Sequence, residues 1–356
     1  MIKWWNIKFD ENDIEIVKDS MMYTRVTMGQ KTKLLENEIS EIINSKYVCC
    51  VQNGTIALDI AIKSFNFKCN TNILLPACTW VATANAVLNN NIKVKLYEVN
   101  NDFTPNIDDI KNKITNKTSA IIVVNLNGNA NNLSEIRKIC DQRKIKFIED
   151  NAQGFLSKIN DKYLGTFGDI SCQSLGITKL ITSGYGGFIA TDNKKLSERI
   201  KIIRDNGTTM NSKQTINYLS HGMNYKYSDL LASIGLSQLH KRKEKIKRML
   251  MNFDYLKNKL SKKNSLRLLE PVSKNNFPLW NIVLSNDRHR LEKILSKNNI
   301  ETKRWYPPLN RNKILESKEI FPISEKIFNE ALILPSGPDL RFSELNKVVK
   351  IIEYSL

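Results

Sequence analysis

Residues 146–191 read KFIEDNAQGFLSKINDKYLGTFGDISCQSLGITKLITSGYGGFIAT and contain three short runs rich in apolar and β-branched residues. The runs are Lys146–Asp150, Ile170–Ser174 and Gly187–Thr191, and their length and composition are typical of buried β-strands. Acidic residues end the first run, and Lys179 lies between the second and the third. This stretch therefore predicts several strands with chemically useful side chains at or just beyond their ends.

The same alternation extends outward over residues 47–205. Further strand-like runs come earlier in the chain, at Tyr47–Val51, Asn72–Leu75, Lys93–Val99 and Ser119–Asn125. Helical patterns separate the runs, at Thr55–Phe65, Thr79–Leu88, Asn106–Lys113, Leu133–Arg143 and Lys194–Arg204. Strand–helix–strand alternation predicts an α/β fold with a largely parallel sheet covered by helices on both faces. Ligands of such sheets bind beyond the carboxyl ends of the strands, so the loops there are the candidate sites.

The pattern changes near Tyr227. Ser228 can cap a long helix that runs from Asp229 to about Leu260. A strand, a helix, a proline-containing loop and a last helix are predicted after it, at Trp280–Leu284, Arg288–Ser296, Arg304–Leu309 and Ser343–Tyr354. We therefore expect a large domain over residues 1–235 and a smaller α+β domain over residues 236–356. The N-terminal arm is expected to pack across both domains or against a partner subunit.

The composition is that of an ordinary globular protein. The chain has 356 residues, of which 41% are hydrophobic and 25% are charged. The first residues, MIKWWNIKFDEND, reach acidic side chains early and include no long apolar run. A membrane-spanning helix needs about 20 consecutive apolar residues, and the sequence contains no such run. We expect a cytoplasmic protein without a membrane segment.

The cysteines and histidines form no pattern typical of a metal site. The six cysteines include no C-x-x-C pair, and the three histidines lie far apart in the sequence. We therefore expect no metal, and reduced cysteines that pack as small hydrophobic side chains. The cysteines are Cys49, Cys50, Cys69, Cys78, Cys140 and Cys172.

The formal net charge of +18 leaves a nucleic-acid-binding protein as an alternative. The basic residues are dispersed, however, and the densest stretch, HKRKEKIK at residues 240–247, lies within a helical pattern and is interrupted by Glu244. A solvated helix face has this composition, so we expect no nucleic-acid partner. A small basic pocket for a phosphorylated ligand is compatible with the same charge.

Lys179 is the foremost candidate for a reactive side chain. It follows a predicted strand within SLGITKLITSGYGG, residues 174–187, and Gly184, Gly186 and Gly187 come after it. A lysine that forms a Schiff base must be held firmly and partly desolvated so that its amine can be neutral. The glycines would let the backbone pass close to a flat ring. Taken alone, an ordinary surface lysine is the commoner interpretation.

Asp150 and the NGT segment strengthen this interpretation. Asp150 ends a buried strand, where its carboxylate can pair with a cationic ring nitrogen, as pyridoxal chemistry requires; alternatively it caps a following helix. Asn53, Gly54 and Thr55 link a strand to a helix, and a helix N-terminus of this kind binds phosphate through its backbone amides. Trp80 can stack on a ligand ring, although packing in the core is the commoner role of a tryptophan.

In order and spacing, these segments resemble the DegT/StrS-type nucleotide-sugar aminotransferases. The first motifs are NGT at 53–55, PACTWVATANAV at 76–87, EDNAQG at 149–154, GTFGD at 165–169 and SLGITKLITSGYGG at 174–187. The later ones are RDNG at 204–207, GMNYKYSDLLASIGLSQL at 222–239, WYPPL at 305–309 and LPSGPDL at 334–340. The resemblance covers nearly the whole chain, because the motifs keep their order from one end to the other.

The resemblance implies the fold-type-I architecture of pyridoxal-phosphate-dependent transferases, which is similar to that of aspartate aminotransferase. Lys179 would carry pyridoxal 5′-phosphate as a Schiff base and then act as the proton shuttle. Asp150 would pair with the pyridine nitrogen, Gln153 would approach the ring hydroxyl and Trp80 would stack on the ring. The cofactor phosphate would be bound by Gly54, Thr55, Ser174 and, from the other subunit, Asn224.

The resemblance also implies substrates and an assembly. Glutamate would donate the amine, and the acceptor would be a nucleotide-linked keto-sugar, in particular a 4-keto-6-deoxyhexose for a surface glycan or an antibiotic sugar. Arg304 and Tyr306 are candidate contacts for the acceptor, although a structural role suits them equally. A homodimer with shared active sites is expected, because Asn224 would act across subunits. The alternative within the family is a sugar dehydrase, in which histidine replaces the lysine, and Lys179 argues against it.

Some positions depart from the family pattern. Residues 125–128 read NLNG where the family often has His-Leu-Tyr-Gly, and Tyr185 stands where glutamate is frequent. Ser174-Leu175-Gly176-Ile177 replaces the usual phenylalanine-rich approach to the lysine, and the histidine that often follows the C-terminal proline motif is absent, with Asn310 nearby. These departures leave the cofactor residues unchanged and affect positions that can line the acceptor pocket.

Overall fold

The computed structural model describes residues 1–23, 26–211, 215–261, 265–315 and 317–355 of the chain. The α-helices are α1 (Glu11–Tyr23), α2 (Gln30–Ile43), α3 (Gly54–Phe65), α4 (Ala82–Asn89), α5 (Ile107–Lys113), α6 (Leu133–Arg143), α7 (Lys194–Arg204), α8 (Asp229–His240), α9 (Arg242–Leu260), α10 (Arg288–Lys297), α11 (Pro322–Glu330) and α12 (Phe342–Ser355). The strands are β1 (Tyr47–Val51), β2 (Asn72–Pro76), β3 (Lys93–Tyr97), β4 (Thr118–Val124), β5 (Lys146–Asp150), β6 (Lys158–Ile159), β7 (Lys162–Tyr163), β8 (Ile170–Ser174), β9 (Gly187–Thr191), β10 (Thr208–Met210), β11 (Ile216–Tyr218), β12 (Arg267–Leu268), β13 (Asn281–Leu284), β14 (Lys303–Arg304) and β15 (Ala331–Leu334).

A seven-stranded sheet in the order β1-β9-β8-β5-β4-β2-β3 forms the centre of the molecule. All neighbours from β8 to β3 are parallel, whereas β9 is antiparallel to both β8 and β1. The predicted largely parallel sheet is therefore confirmed. Because Gly187 at the start of β9 pairs with both Ser174 and Val51, the carboxyl ends of β1 and β8 meet at one edge of the sheet. Asp150 at the end of β5 lies at the same edge, where it pairs with Cys172.

The central strands are buried on both faces, which explains why their sequences are almost continuously apolar. In β4, Ile122 and Val124 belong to the hydrophobic cluster that includes residues of α3. Ile121 and Val123 belong to a second cluster, together with residues of α6. Successive side chains of a strand point to opposite faces, so helices cover both faces of the sheet.

A second, four-stranded sheet is antiparallel throughout and has the order β12-β13-β15-β14. Leu291 and Leu295 of α10 and Val348 and Ile352 of α12 are fully buried in a cluster with Leu332 of β15. The N-terminal segment runs beside this sheet through isolated bridges, from Ile2 to Ile300 and from Trp5 to Ser336.

The structure differs from the sequence predictions in several helical regions. The predicted long helix from Asp229 to Leu260 is two helices, α8 and α9, which meet at Lys241. The Lys241 ammonium donates hydrogen bonds to Asp10 at 2.6 Å and to Asp13 at 2.9 Å, which ties this junction to the start of α1. The helix predicted from Thr79 begins at Ala82, and α1, α2 and α11 were not predicted.

The boundary predicted between residues 235 and 236 falls inside α8, a helix that contacts α1 and α2. The division into two domains stays a prediction. None of the helices in the described part of the chain is long and apolar enough to cross a bilayer.

Candidate active site

A cavity of about 370 Å³ opens at the carboxyl edge of the central sheet. Eight of the residues predicted from the sequence line it: Gly54, Thr55, Trp80, Asp150, Gln153, Ser174, Lys179 and Tyr306. They come from segments that are distant in sequence, and the strand ends bring them together. The cavity is large enough for a cofactor-sized ligand.

Lys179 lies in the loop between β8 and β9, and its backbone amide donates to the carbonyl of Gly176 at 3.0 Å. Burial lowers the pKa of its amine to about 8; the nearby Lys303 adds to this effect, and Asp150 opposes it. Gly187 is needed where the loop re-enters the sheet, because a Cβ there would lie 2.6 Å from the carbonyl carbon of Asn53. The loop therefore presents a partly desolvated amine that is neutral far more readily than an ordinary lysine.

Asp150 is 5% exposed, and hydrogen bonds from two neighbours fix its carboxylate. The Thr83 hydroxyl donates to one oxygen at 2.8 Å, and the Ala152 amide donates to the other at 3.2 Å. Burial raises the pKa of Asp150, and the hydrogen bonds and the charge of Lys179 oppose that rise. No helix follows directly in the described chain, so the helix-capping alternative does not apply. Thr83 is a positioning residue that sequence reasoning missed.

The N-terminus of α3 faces the same cavity. The Asn53 side chain caps the helix by accepting from the Ile56 amide at 2.9 Å, and the Asn53 carbonyl accepts from Ala57 at 3.0 Å. Within the described residues, the amides of Gly54 and Thr55 have no hydrogen-bond acceptor. Free amides at the positive end of a helix dipole bind anions such as phosphate. A Cβ at Gly54 would lie 3.0 Å from that of Ser174, so the helix end lies tightly against β8.

Gln153, Tyr306 and Trp80 form one wall of the cavity. The Gln153 amide group donates to the Tyr306 hydroxyl at 3.1 Å and accepts from the Asn127 amide at 2.8 Å. The rings of Trp80 and Tyr306 meet edge to face with centroids 5.4 Å apart. Trp80 is 54% exposed, so it does not pack in the core and presents an indole to the cavity.

Two predicted site residues lie elsewhere. Asn224 does not line the cavity of its own chain; its carbonyl accepts from Gln52 at 3.1 Å, and its side chain is exposed. Arg304 also lies outside the cavity, and its Nε donates to both carboxylate oxygens of Glu292, at 3.0 and 2.9 Å. The roles predicted for these two residues stay predictions.

Several lining residues were not singled out in the sequence. Lys303 of β14 is a second cation in the cavity, and Trp4 and Trp280 add aromatic surface. The ring of Trp280 lies 5.4 Å from the Lys179 amine, and the Trp5 indole donates to the carbonyl of Ile177 at 2.8 Å. Only the tertiary arrangement shows these contacts, because each joins residues that lie about 100 or more positions apart in sequence.

The described residues contain no cluster of three or more histidine, cysteine, aspartate or glutamate side chains that could hold a metal ion.

A desolvated lysine, a buried acid and a helix N-terminus with free amides meet at one edge of the sheet, an arrangement consistent with a fold-type-I transferase. The chain belongs to the DegT/DnrJ/EryC1/StrS aminotransferase family, whose model matches residues 8–353. The family and the fold predicted from the sequence are both confirmed.

Relatives of the chain include two enzymes whose names refer to GDP-linked sugars. It is 30% identical to a GDP-perosamine synthase of Escherichia coli O157:H7 over 319 residues, which cover 88% of this chain and 86% of the relative. It is 27% identical to a GDP-4-keto-6-deoxy-D-mannose 3-dehydratase of Escherichia coli O55:H7, with 80% of this chain and 78% of the relative covered. The fold is similar to that of Helicobacter pylori PseC, an aminotransferase involved in the biosynthesis of pseudoaminic acid, with a TM-score of 0.96, 20% identity and coverage of 99% and 98% of the two chains.

Proposed function

We propose that this protein is a pyridoxal-phosphate-dependent aminotransferase that moves an amino group from glutamate to a nucleotide-linked keto-sugar, in particular a nucleoside-diphospho-4-keto-6-deoxyhexose. The observation that carries the proposal is the meeting of Lys179, Asp150 and the N-terminus of α3 in one cavity. Family membership supports the reaction class. The product would serve a surface glycan or a deoxyaminosugar.

The residues of the cavity fit the cofactor. The free amides of Gly54 and Thr55, with the Ser174 hydroxyl beside them, suit its phosphate. Asp150, held by Thr83, suits a protonated pyridine nitrogen, whose charge would compensate the buried carboxylate. Trp80 offers an aromatic face, and Gln153 offers a polar group for the ring hydroxyl. When bound, pyridoxal phosphate supplies an electron sink for the carbon that exchanges its proton.

Lys179 is the general base and acid of the proposed reaction. Its amine lies in a loop fixed by backbone hydrogen bonds, and burial lowers its pKa to about 8, close to physiological pH. An amine with such a pKa both accepts and releases a proton readily, which general acid–base catalysis requires. The Trp280 ring, with its centroid 5.4 Å from the amine, excludes water on one side.

The names of the relatives support the class of acceptor. A GDP-perosamine synthase and a GDP-4-keto-6-deoxy-D-mannose 3-dehydratase are both similar to this chain, and both names refer to nucleotide-linked deoxysugars. Lys179 favours transfer of the amine over the dehydrase alternative, in which the family replaces this lysine by histidine.

The alternative of a nucleic-acid-binding protein is weakened by the contacts that basic residues make in the densest basic stretch, residues 240–247. His240 contacts Glu38, Lys241 contacts Asp10 and Asp13, and the Lys245 amine donates to the side-chain amide oxygen of Gln238. These groups are engaged within the protein, so only part of the stretch, including the exposed Lys243 and Lys247, is open to phosphates.

We propose that the protein is a homodimer with shared active sites. We also propose that it works in the cytoplasm. Asn224 is exposed and lies outside the cavity of its own chain, as expected of a residue that acts across subunits. The nearby hairpin of β10 and β11 exposes Met210 and Tyr218, apolar surface that a second subunit would cover. The cysteines are free in the described chain, which suits a reducing compartment.

The test is a panel of nucleotide-linked keto-sugars incubated with the holoenzyme and ¹⁵N-glutamate. Mass spectrometry should find ¹⁵N in one amino-sugar product. The Lys179→Ala variant, folded as judged by circular dichroism, is the matched control and should form none. Deoxygenation of the sugar without incorporation of nitrogen would support the dehydrase instead.

A further inference from the structure

The cavity contains one more cation than the cofactor needs. Among its described lining residues, Lys179 and Lys303 are the basic side chains and Asp150 is the carboxylate. Lys179 is assigned to the cofactor aldehyde, Asp150 to the pyridine nitrogen and the amides of α3 to the phosphate. Lys303 has no assigned partner, and no carboxylate of the described residues lies within ion-pairing distance of its amine.

The register of β14 places this cation in the cavity. Lys303 pairs with Ile333 of β15, which also lines the cavity, and Arg304 pairs with Leu332, which belongs to the core beneath the small sheet. Because successive side chains of a strand point to opposite faces, Lys303 faces the cavity and Arg304 faces α10. Arg304 finds Glu292 there.

Trp4 holds the Lys303 side chain in position. The Lys303 amine lies 4.7 Å from the centroid of the Trp4 ring, a cation–π arrangement that leaves the hydrogen-bonding positions of the amine free. The Trp4 backbone amide donates to the Glu301 carboxylate at 3.3 Å, which ties the N-terminal segment to the strand that carries Lys303. Glu301 does not line the cavity.

From these observations we infer that Lys303, supported by Trp4, is the residue that binds a carboxylate of the amino donor. The inference rests on the proposed function and specifies its donor site. The donor carboxylate is bonded to the carbon that reacts, so it must bind inside the cavity near Lys179. Lys303 and Lys179 line the same cavity, and the charge of Lys303 contributes to the lowered pKa of the Lys179 amine. The acceptor's pyrophosphate is separated from its reacting ketone by the sugar ring and belongs farther out.

The experiment measures donor binding apart from turnover. Glutarate, which has the two carboxylates of glutamate and no amine, is titrated into the holoenzyme by calorimetry, and the half-saturation for glutamate is measured in a single half-reaction. Lys303→Met should weaken both by about 10- to 100-fold, the scale of one charge-assisted hydrogen bond. Lys303→Arg should retain most of the affinity.

The matched control is Lys297→Met, which removes the same charge from the exposed end of α10 and should leave both values unchanged. Binding of GDP, dTDP and UDP distinguishes the pyrophosphate as the source of the anion. Loss of nucleotide binding in Lys303→Met with unchanged glutarate binding would overturn the inference, as would unchanged binding of both. Lys303→Gln gives a second variant if the methionine protein does not fold. If the wild-type enzyme neither reacts with glutamate nor binds glutarate, the proposed function fails, not this assignment alone.

Discussion

The clearest quantitative prediction concerns the pH at which the cofactor attaches to Lys179. Only a neutral amine attacks an aldehyde. Burial lowers the pKa of Lys179 from 10.5 to about 8, so half of the apoenzyme carries a neutral amine at pH 8. An ordinary lysine would be neutral in about 0.3% of molecules at that pH. The structure therefore predicts attachment at pH 8 that is about 150-fold faster than for an unperturbed lysine of equal access.

The assay mixes apoenzyme with pyridoxal phosphate in a stopped-flow spectrometer between pH 6 and pH 10 and follows the visible band of the protein-bound cofactor. The rate should rise about tenfold per pH unit at low pH and level off near pH 8. Nα-acetyl-lysine under the same conditions corrects for the titration of the cofactor itself. A rate that keeps rising to pH 10 would refute the view that the cavity desolvates this amine.

Three further predictions address the neighbours of Lys179 and the surrounding structure. Asp150→Asn removes the charge that raises the pKa of Lys179, so the midpoint of attachment should move below pH 8, and turnover should fall about 100-fold; an upward shift would contradict this. Arg304→Met breaks only an exposed pair with Glu292, and glutamate saturation should stay within about twofold, with less than about 1 kcal/mol lost in stability. Glu149→Gln disturbs a buried carboxylate that accepts three backbone amides, and urea unfolding should show a loss of about 2–4 kcal/mol.

Much of the candidate site could be predicted from the rule that ligands bind at the carboxyl ends of parallel strands. Asp150, the NGT segment and the lysine loop each follow a recognisable apolar strand, and parallel strands bring their carboxyl ends together. The sheet order, with β9 antiparallel between β1 and β8, was not visible in the sequence. That order places Gly54 beside Ser174, because Asn53, which precedes Gly54, and Ser174 both lie against Gly187 at the start of β9.

The four-stranded sheet shows why Lys303 and Trp4 could not be predicted from the sequence. The sequence suggested Arg304 as a contact for the acceptor, whereas strand parity determines which of residues 303 and 304 faces the cavity. β14 is only two residues long, too short for its alternation to be seen in the sequence. Its pairing with β15 decides that Lys303 faces the cavity. Trp4 contributes through contacts with a segment almost 300 residues away, and no local pattern encodes such a contact.

The central claim is the covalent attachment of the cofactor at Lys179. The direct measurement is reduction of the holoenzyme with borohydride, which fixes the cofactor to its lysine, followed by proteolysis and mass spectrometry of the peptides. The account predicts one pyridoxyl group, on the peptide that contains Lys179, with Lys303 unmodified. A label on a different lysine, or a protein that takes up no cofactor, would contradict it.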